Sequence, residues 1–176
     1  MTVHSNIAEP WKVTLVDTGQ QSQTGGRVRR IRNYVGDEPF LLTYGDGISD
    51  IDLNKLIDLH KSEGSVVTIS AVQPGGRFGV LDFDESNRPV GFREKAKEDG
   101  GWINAGFMIA ESGIFNYLDN DYCILENEPF HRLSNEGKLS AYRHYGFWQC
   151  MDTQRDRGVL ERRWENNNAP WKIWDL

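Results

Sequence analysis

The residues best equipped for chemistry are two aspartates set in turns, Asp46 and Asp152. Asp46 stands in Tyr44-Gly45-Asp46-Gly47, directly after the apolar run Phe40-Leu41-Leu42-Thr43. That run is short and uncharged, and turn residues bound it, so it predicts a buried strand. The carboxylate then falls just past a strand's C-terminal end, where open α/β sheets bind ligands. Flanking glycines let the backbone bend sharply and let a ligand come close. A carboxylate so placed is suited to hold a hard cation such as Mg²⁺ over a phosphate. Gly-Asp-Gly also serves as a plain turn, because both residue types are common turn formers.

Asp152 lies in Phe147-Trp148-Gln149-Cys150-Met151-Asp152-Thr153. It reads either as a helix N-cap or as a second metal ligand. Mg²⁺ takes one or two carboxylates and completes its octahedron with phosphate oxygens and water. Two aspartates from distant loops, converging on one edge, fit that scheme.

Other polar positions carry a functional and a plain reading side by side. Glu94-Lys95 ends a predicted strand, so it presents a carboxylate and an ammonium to a polar ligand, or forms a charged surface turn. Asn104 sits in the apolar stretch Ile103-Asn104-Ala105-Gly106. Its amide suits hydroxyl groups of a ligand or backbone groups at a bulge. His60 lies on an apolar helix face and reads as partly buried structure. Arg77 has no partner legible in the sequence.

Periodicity and turn residues mark out the strands and helices around these positions. Val13–Asp17 predicts a strand. Gln20–Gly26 is polar and ends in Thr24-Gly25-Gly26, a loop. Arg27–Val35 has helical spacing and Gly36 terminates it. The arginines at 27, 29, 30 and 32 form its solvated side. Asp52 caps a helix whose apolar face is Leu53, Leu56, Ile57 and His60, with Gly64 as its C-terminal cap. Val66–Val72 is another strand. Strand, helix, strand, helix, strand predicts a parallel α/β sheet covered on both faces.

After Pro74 the pattern changes. Phe78–Phe83 and Pro89–Arg93 read as two antiparallel strands joined at Glu85-Ser86-Asn87. Ile103–Ala110 is a strand broken by Gly106, and Ile114–Leu118 a short helix. Glu126–Glu136 is a second helix, opened near Pro129 and closed by Gly137. Leu139–His144 is a short strand, and a long polar helix comes after Thr153. The tail, Ala169–Trp174, places two tryptophans where they dock on the core or on another subunit.

Size and composition bound the answer. The 176 residues suit one domain with a sizeable core. A net charge of −6 argues against a non-specific nucleic-acid or membrane-surface role. Two cysteines, Cys123 and Cys150, offer neither zinc spacing nor a disulfide framework. A reducing, cytoplasmic setting is expected, with no membrane segment.

Taken together these segments resemble the glucose-1-phosphate cytidylyltransferases, a group of sugar-1-phosphate nucleotidyltransferases. The resemblance is carried by Glu9–Gly19, Thr24-Gly25-Gly26-Arg27, Thr43-Tyr44-Gly45-Asp46-Gly47 and Pro74-Gly75-Gly76-Arg77-Phe78-Gly79. Gly146–Thr153 and Ala169-Pro170-Trp171-Lys172 complete it, in order over nearly the whole chain. It implies a Rossmann-like α/β nucleotidyltransferase fold, a mixed sheet with helices on both faces, in one domain over residues 1–176. Residues 1–73 would form the α/β part, 74–150 the sugar-binding part and 151–176 the C-terminal helix and tail.

The resemblance also implies a reaction and its residues. CTP and glucose 1-phosphate would give CDP-glucose and pyrophosphate, in the nucleotide-sugar chemistry that feeds O-antigen and lipopolysaccharide. Asp46 and Asp152 would be catalytic and hold Mg²⁺. Thr24, Gly25, Gly26 and Gly45 would lie against the nucleotide. Glu94, Lys95 and Asn104 would face the sugar phosphate. Ala96 and Ala105 replace a proline and a glycine of the family pattern on the sugar side.

The family's opening strand, its Gly-Gly-x-Gly-Thr-Arg loop and its Pro-Lys-Pro segment have no match here. That is roughly 80 residues, or about two βα units. The expectation is therefore a C-terminal two-thirds with little transferase activity alone, part of a homo-oligomer when complete. A non-catalytic sugar-nucleotide-binding or assembly module is the alternative, and a different base preference is a third.

Overall fold

The computed structural model describes residues 11–74, 79–83, 85, 88–94 and 101–174. Its centre is a four-stranded sheet built from β1 (Phe40–Thr43), β3 (Val67–Val72), β6 (Ile103–Ala110) and β7 (Leu139–Arg143). The spatial order is β1-β6-β3-β7. β6 runs antiparallel to both β1 and β3, while β3 and β7 pair in parallel. The sheet is thus mixed. This is the mixed sheet that the resemblance implies; the parallel sheet predicted by the alternation of strands and helices alone does not form, because β6 inserts between β1 and β3. Local patterning carries no information on which strand lies between which.

β6 is buried on both faces, so it shows no polar alternation. Met108 contributes to one core and its neighbour Ile109 to the other. The larger core packs Met108 against Val67, Ile114, Leu125, Phe130 and Leu133. Apart from Val67, those residues come from a 3₁₀ helix (Ser112–Tyr117), the loop after it and α4 (Glu128–Asn135). On the opposite face Ile109 meets Leu56 of α3 (Leu53–Glu63) and Ile51. Helices therefore cover both faces, as expected.

Several local predictions hold for the stated reasons. Asp52 caps α3 by accepting from the backbone N–H groups of Asn54 (3.0 Å) and Lys55 (3.2 Å). Gly64 closes it in the left-handed conformation at φ +62°. β4 (Gly79–Phe83) and β5 (Pro89–Glu94) form an antiparallel pair outside the main sheet. A second small antiparallel pair, β2 (Gly47–Ser49) with β8 (Trp148–Cys150), has no counterpart in the sequence reading. α5 (Gln154–Glu165) comes after β8.

Others need correction. Val13–Asp17 is not a strand, because it pairs with no strand among the described residues and leaves Val13 and Leu15 exposed. β-branched residues favour extended backbone, but a strand also requires a partner. Thr24-Gly25-Gly26 is not a loop but the first turn of α1 (Thr24–Arg30). The expected Arg27–Val35 helix is interrupted at Ile31, after which α2 (Arg32–Val35) ends at Gly36. The arginines are not simply solvated: Arg30 pairs with Asp121 at 2.6 Å and Arg32 lies over the Phe115 ring. Leu53 is exposed rather than part of α3's buried face. The short helix at 114–118 is the 3₁₀ helix. His60 is more deeply buried than expected, bridging Thr68 Oγ1 (2.8 Å) and Glu111 Oε1 (3.1 Å). No helix among the described residues is long and apolar enough to cross a membrane.

Candidate active site

The sheet's mixed order brings one set of loop ends to a common edge. β1 delivers Tyr44-Gly45-Asp46 there, and the start of β6 delivers Asn104. An open cleft of about 830 Å³ lies at this edge. Asp46, Gly45 and Asn104 line it, together with Thr24 from α1. Four of the residues singled out from the sequence thus meet in one place, although they come from three separate segments. Thr43, Tyr44 and Glu126 complete the lining.

Asn104 fulfils its plain reading in this structure. Its Oδ1 accepts from the N–H of Gly106 at 2.9 Å. That closes an irregularity in the β3–β6 ladder, where Ile69 faces Met108 but Ala71 faces Asn104. Gly106 takes φ +84°, which favours glycine, and a Cβ there would come within 2.8 Å of the Tyr44 ring. The bulge therefore seats Tyr44 at the cleft wall. Burial raises the Tyr44 phenol well above its ordinary value, and its hydrogen bond to the Glu126 carboxylate adds to this. The hydroxyl is a fixed donor at neutral pH.

Asp152 reaches the same corner along the backbone. Gly47 pairs with Cys150 in the β2–β8 ladder, and Met151 N–H donates to the Asp46 carbonyl at 2.8 Å. Several bonds hold β8 in place. Asp50 Oδ1 accepts from His144 Nε2 (2.8 Å) and from the Phe147 N–H (2.7 Å). Trp148 Nε1 donates to the Ala105 carbonyl at 2.8 Å. A Cβ on Gly146 would meet Asp50 Oδ1 at 2.5 Å, so only glycine fits there. Asp152 is not the N-cap of α5. Thr153 is, through a reciprocal capping box with Asp156. Asp152 Oδ2 instead accepts from Cys150 Sγ at 3.2 Å.

The donor set bears on which cation suits this corner. Among the described residues no group of three or more His, Cys, Asp or Glu side chains is placed to hold a metal. Two exposed carboxylates on joined turns do not make a closed protein cage. Asp46 lines the cleft and Asp152 does not; a single carboxylate of that kind fits Mg²⁺, which keeps waters and takes substrate phosphates beside one or two carboxylates.

The remaining predicted residues are placed differently. Gly25 and Gly26 do not line the cleft. They are buried where α1 packs on the segment 121–123: a Cβ on Gly25 would meet the Cys123 carbonyl at 2.9 Å, and one on Gly26 would collide with that of Asp121. Glu94 ends β5, as predicted. Lys95, Ala96 and Arg77 lie outside the described residues. Sequence reasoning missed Glu126 as a cleft residue. Its position ahead of Pro129 reads only as the start of a helix, and no local signal points to the cleft.

Comparison with known proteins identifies the family. The nucleotidyl transferase family profile matches residues 3–149. Glucose-1-phosphate cytidylyltransferase of Salmonella typhi is 48% identical over 99% of this chain, which covers 68% of that protein. A Bacillus subtilis protein named "Probable glucose-1-phosphate cytidylyltransferase" is 38% identical over 94% of this chain, covering 65% of its own length. The chain thus spans about two thirds of these relatives. HddC from Yersinia pseudotuberculosis superimposes with a TM-score of 0.61 at 22% identity, over 82% of this chain and 64% of that one; this supports the fold alone. The chain belongs to the nucleotidyl transferase family, in its glucose-1-phosphate cytidylyltransferase group.

Proposed function

We propose that this chain is part of an enzyme that makes CDP-glucose and pyrophosphate from CTP and glucose 1-phosphate. The observation that carries the proposal is Asp46, held on a glycine turn at the edge of the sheet in a cleft shared with Thr24 and Asn104. A phosphate oxygen of glucose 1-phosphate attacks the α-phosphorus of CTP. The bond from that phosphorus to the bridging oxygen breaks, and pyrophosphate leaves with the electron pair. No covalent enzyme nucleophile is required. The protein's task is to orient the two phosphates in line and to offset their charge.

Asp46 and Asp152 are proposed to hold Mg²⁺, which when bound neutralises phosphate charge. Gly45, with no side chain, leaves space for a ligand beside the turn. Thr24 offers a hydroxyl on the nucleotide side. Gly25 and Gly26 act there indirectly, by letting α1 pack closely enough to place Thr24. Glu94, Lys95 and Asn104 are proposed to face the sugar phosphate. The complete enzyme is proposed to be a homo-oligomer.

The test is Mg²⁺-dependent formation of CDP-glucose, measured by pyrophosphate release and by chromatography of the product. It is run on this chain and on the chain extended by its upstream coding sequence, with UTP, GTP and dTTP in parallel. CDP-glucose formation by either protein, lost in Asp46→Asn, supports the proposal. Preference for another nucleotide overturns the choice of CTP. Retention of turnover in Asp46→Asn overturns the assigned site.

A further inference from the structure

Glu126 ties the cleft together, yet the proposed chemistry does not use it. Its carboxylate is half-buried and accepts from hydroxyls on two separate elements. Thr24, the first residue of α1, donates through Oγ1 to Oε2 at 2.7 Å. Tyr44, just past β1, donates its hydroxyl to Oε1. Thr24 Oγ1 also accepts from the Leu125 N–H at 2.9 Å, so α1 and the 125–126 backbone fix each other. Each carboxylate oxygen thus receives one hydroxyl.

Tyr44 matters because it leads directly into the Asp46 turn. Gly45 has no side chain to hold that turn, and a Cβ there would meet nothing within 4 Å. The turn must therefore be held from its flanks. On the far flank Met151 N–H donates to the Asp46 carbonyl, and the β2–β8 ladder begins. On the near flank stands Tyr44, held by four contacts. Its N–H donates to the Gly106 carbonyl at 3.1 Å, its ring lies against Gly106, and its hydroxyl donates to Glu126 and is hydrogen-bonded by the Asn104 side chain. Glu126 is the acceptor that the Tyr44 hydroxyl donates to on that near flank.

We infer that Glu126 is a positioning residue for the Asp46 turn, acting through Tyr44 and braced by Thr24. The inference rests on the proposed role of Asp46 as a metal ligand. Groups that orient a metal ligand through hydrogen bonds contribute roughly 10- to 100-fold in metal affinity or activity. Glu126 acts one residue further out, so the lower end of that range applies.

The test reads Mn²⁺ binding by electron paramagnetic resonance in the presence of CTP, with Mn²⁺ as the probe for the proposed Mg²⁺ site. The proteins are wild type, Asp46→Asn, Glu126→Ala, Glu126→Gln, Tyr44→Phe and the double variant Tyr44→Phe/Glu126→Ala. Each affinity is corrected for the folded fraction from circular dichroism. Glu126→Ala and Tyr44→Phe should each weaken binding about tenfold. The double variant should bind within about twofold of Glu126→Ala, because both changes cut one path. Glu126→Gln keeps one acceptor oxygen and should fall between wild type and Glu126→Ala. If Glu126→Ala does not fold, Glu126→Gln and Tyr44→Phe carry the comparison.

A lowered unfolding midpoint with unchanged Mn²⁺ affinity of the folded protein would make Glu126 structural only and overturn the inference. Additive losses from Glu126→Ala and Tyr44→Phe would overturn action through Tyr44. In both cases loss of Mn²⁺ in Asp46→Asn would leave the metal site standing. Failure of wild type to bind Mn²⁺, or undiminished binding by Asp46→Asn, would overturn the metal site and the inference with it.

Discussion

Met151 donates its backbone N–H to the carbonyl of Asp46 at 2.8 Å, joining two turns that lie far apart in sequence. The bond continues the β2–β8 ladder by one step, and Asp152 is the next residue. Two aspartates on separate turns are thereby brought to one corner of the sheet. The corner is held from outside by Asp50, which accepts from His144 and from the Phe147 N–H.

Asp46→Asn and Asp152→Asn should each lower transferase turnover by about 100-fold or more, the scale of losing one electrostatic contributor at a reacting phosphate. Both side chains are exposed. Their unfolding midpoints should therefore stay close to wild type, surface changes being worth within about 0.5 kcal/mol. Steady-state kinetics and a urea titration on the same preparations check both halves.

Thr153→Ala should show the opposite pattern. Thr153 caps α5 through its hydroxyl and the Asp156 N–H at 3.2 Å. Removing the cap should cost about 1 kcal/mol of stability. Since Thr153 neighbours Asp152, some loss of turnover is expected, but smaller than that of Asp152→Asn. Chemical denaturation distinguishes the cap from the carboxylate beside it.

Gly26→Ala should destabilise the fold by about 1–3 kcal/mol through overpacking. The added methyl has no room against the Asp121 backbone. Gly64→Ala is the control, because a Cβ there meets nothing within 4 Å and only the left-handed conformation at φ +62° opposes it. A smaller loss at Gly64, about 1 kcal/mol, would separate collision from backbone strain. Thermal or urea unfolding measures both.

Stability should fall in acid partly through Asp121. The hydrogen bond and charge of Arg30 hold its carboxyl below the ordinary value of 3.8. A depressed folded-state value stabilises the fold above the unfolded-state value, and that stabilisation is lost as pH falls through the folded one. Wild type should therefore lose this contribution below about pH 4. Asp121→Asn should show a shallower acid limb, with lower stability at neutral pH. Unfolding midpoints measured from pH 7 down to pH 3 test the sign.

Much of the site was legible in the chain because its signals are local. The turn Gly45-Asp46-Gly47 comes after an apolar run, and both features lie within a few residues. The caps of α3 at Asp52 and Gly64 depend only on neighbouring backbone groups. The resemblance to the cytidylyltransferases adds ordered motifs, which the comparisons support at the level of family. Less legible were features that need a partner from elsewhere. Val13–Asp17 has strand-like residues but no strand beside it among the described residues. Thr24-Gly25-Gly26 has loop-like composition, yet its glycines serve close packing of α1 on the segment 121–123.

Ordered motifs along the chain were enough for the resemblance to the family, and residue type and spacing for the turn that carries Asp46 and for most helix and strand positions among the described residues. Each of these is written in neighbouring residues. Two outcomes came only from the folded arrangement: β6 lies between β1 and β3, and Glu126 joins Thr24 to Tyr44 across the cleft. Such outcomes depend on which segments pack together, and packing is settled by the burial and hydrogen bonding of the whole chain rather than by any local pattern.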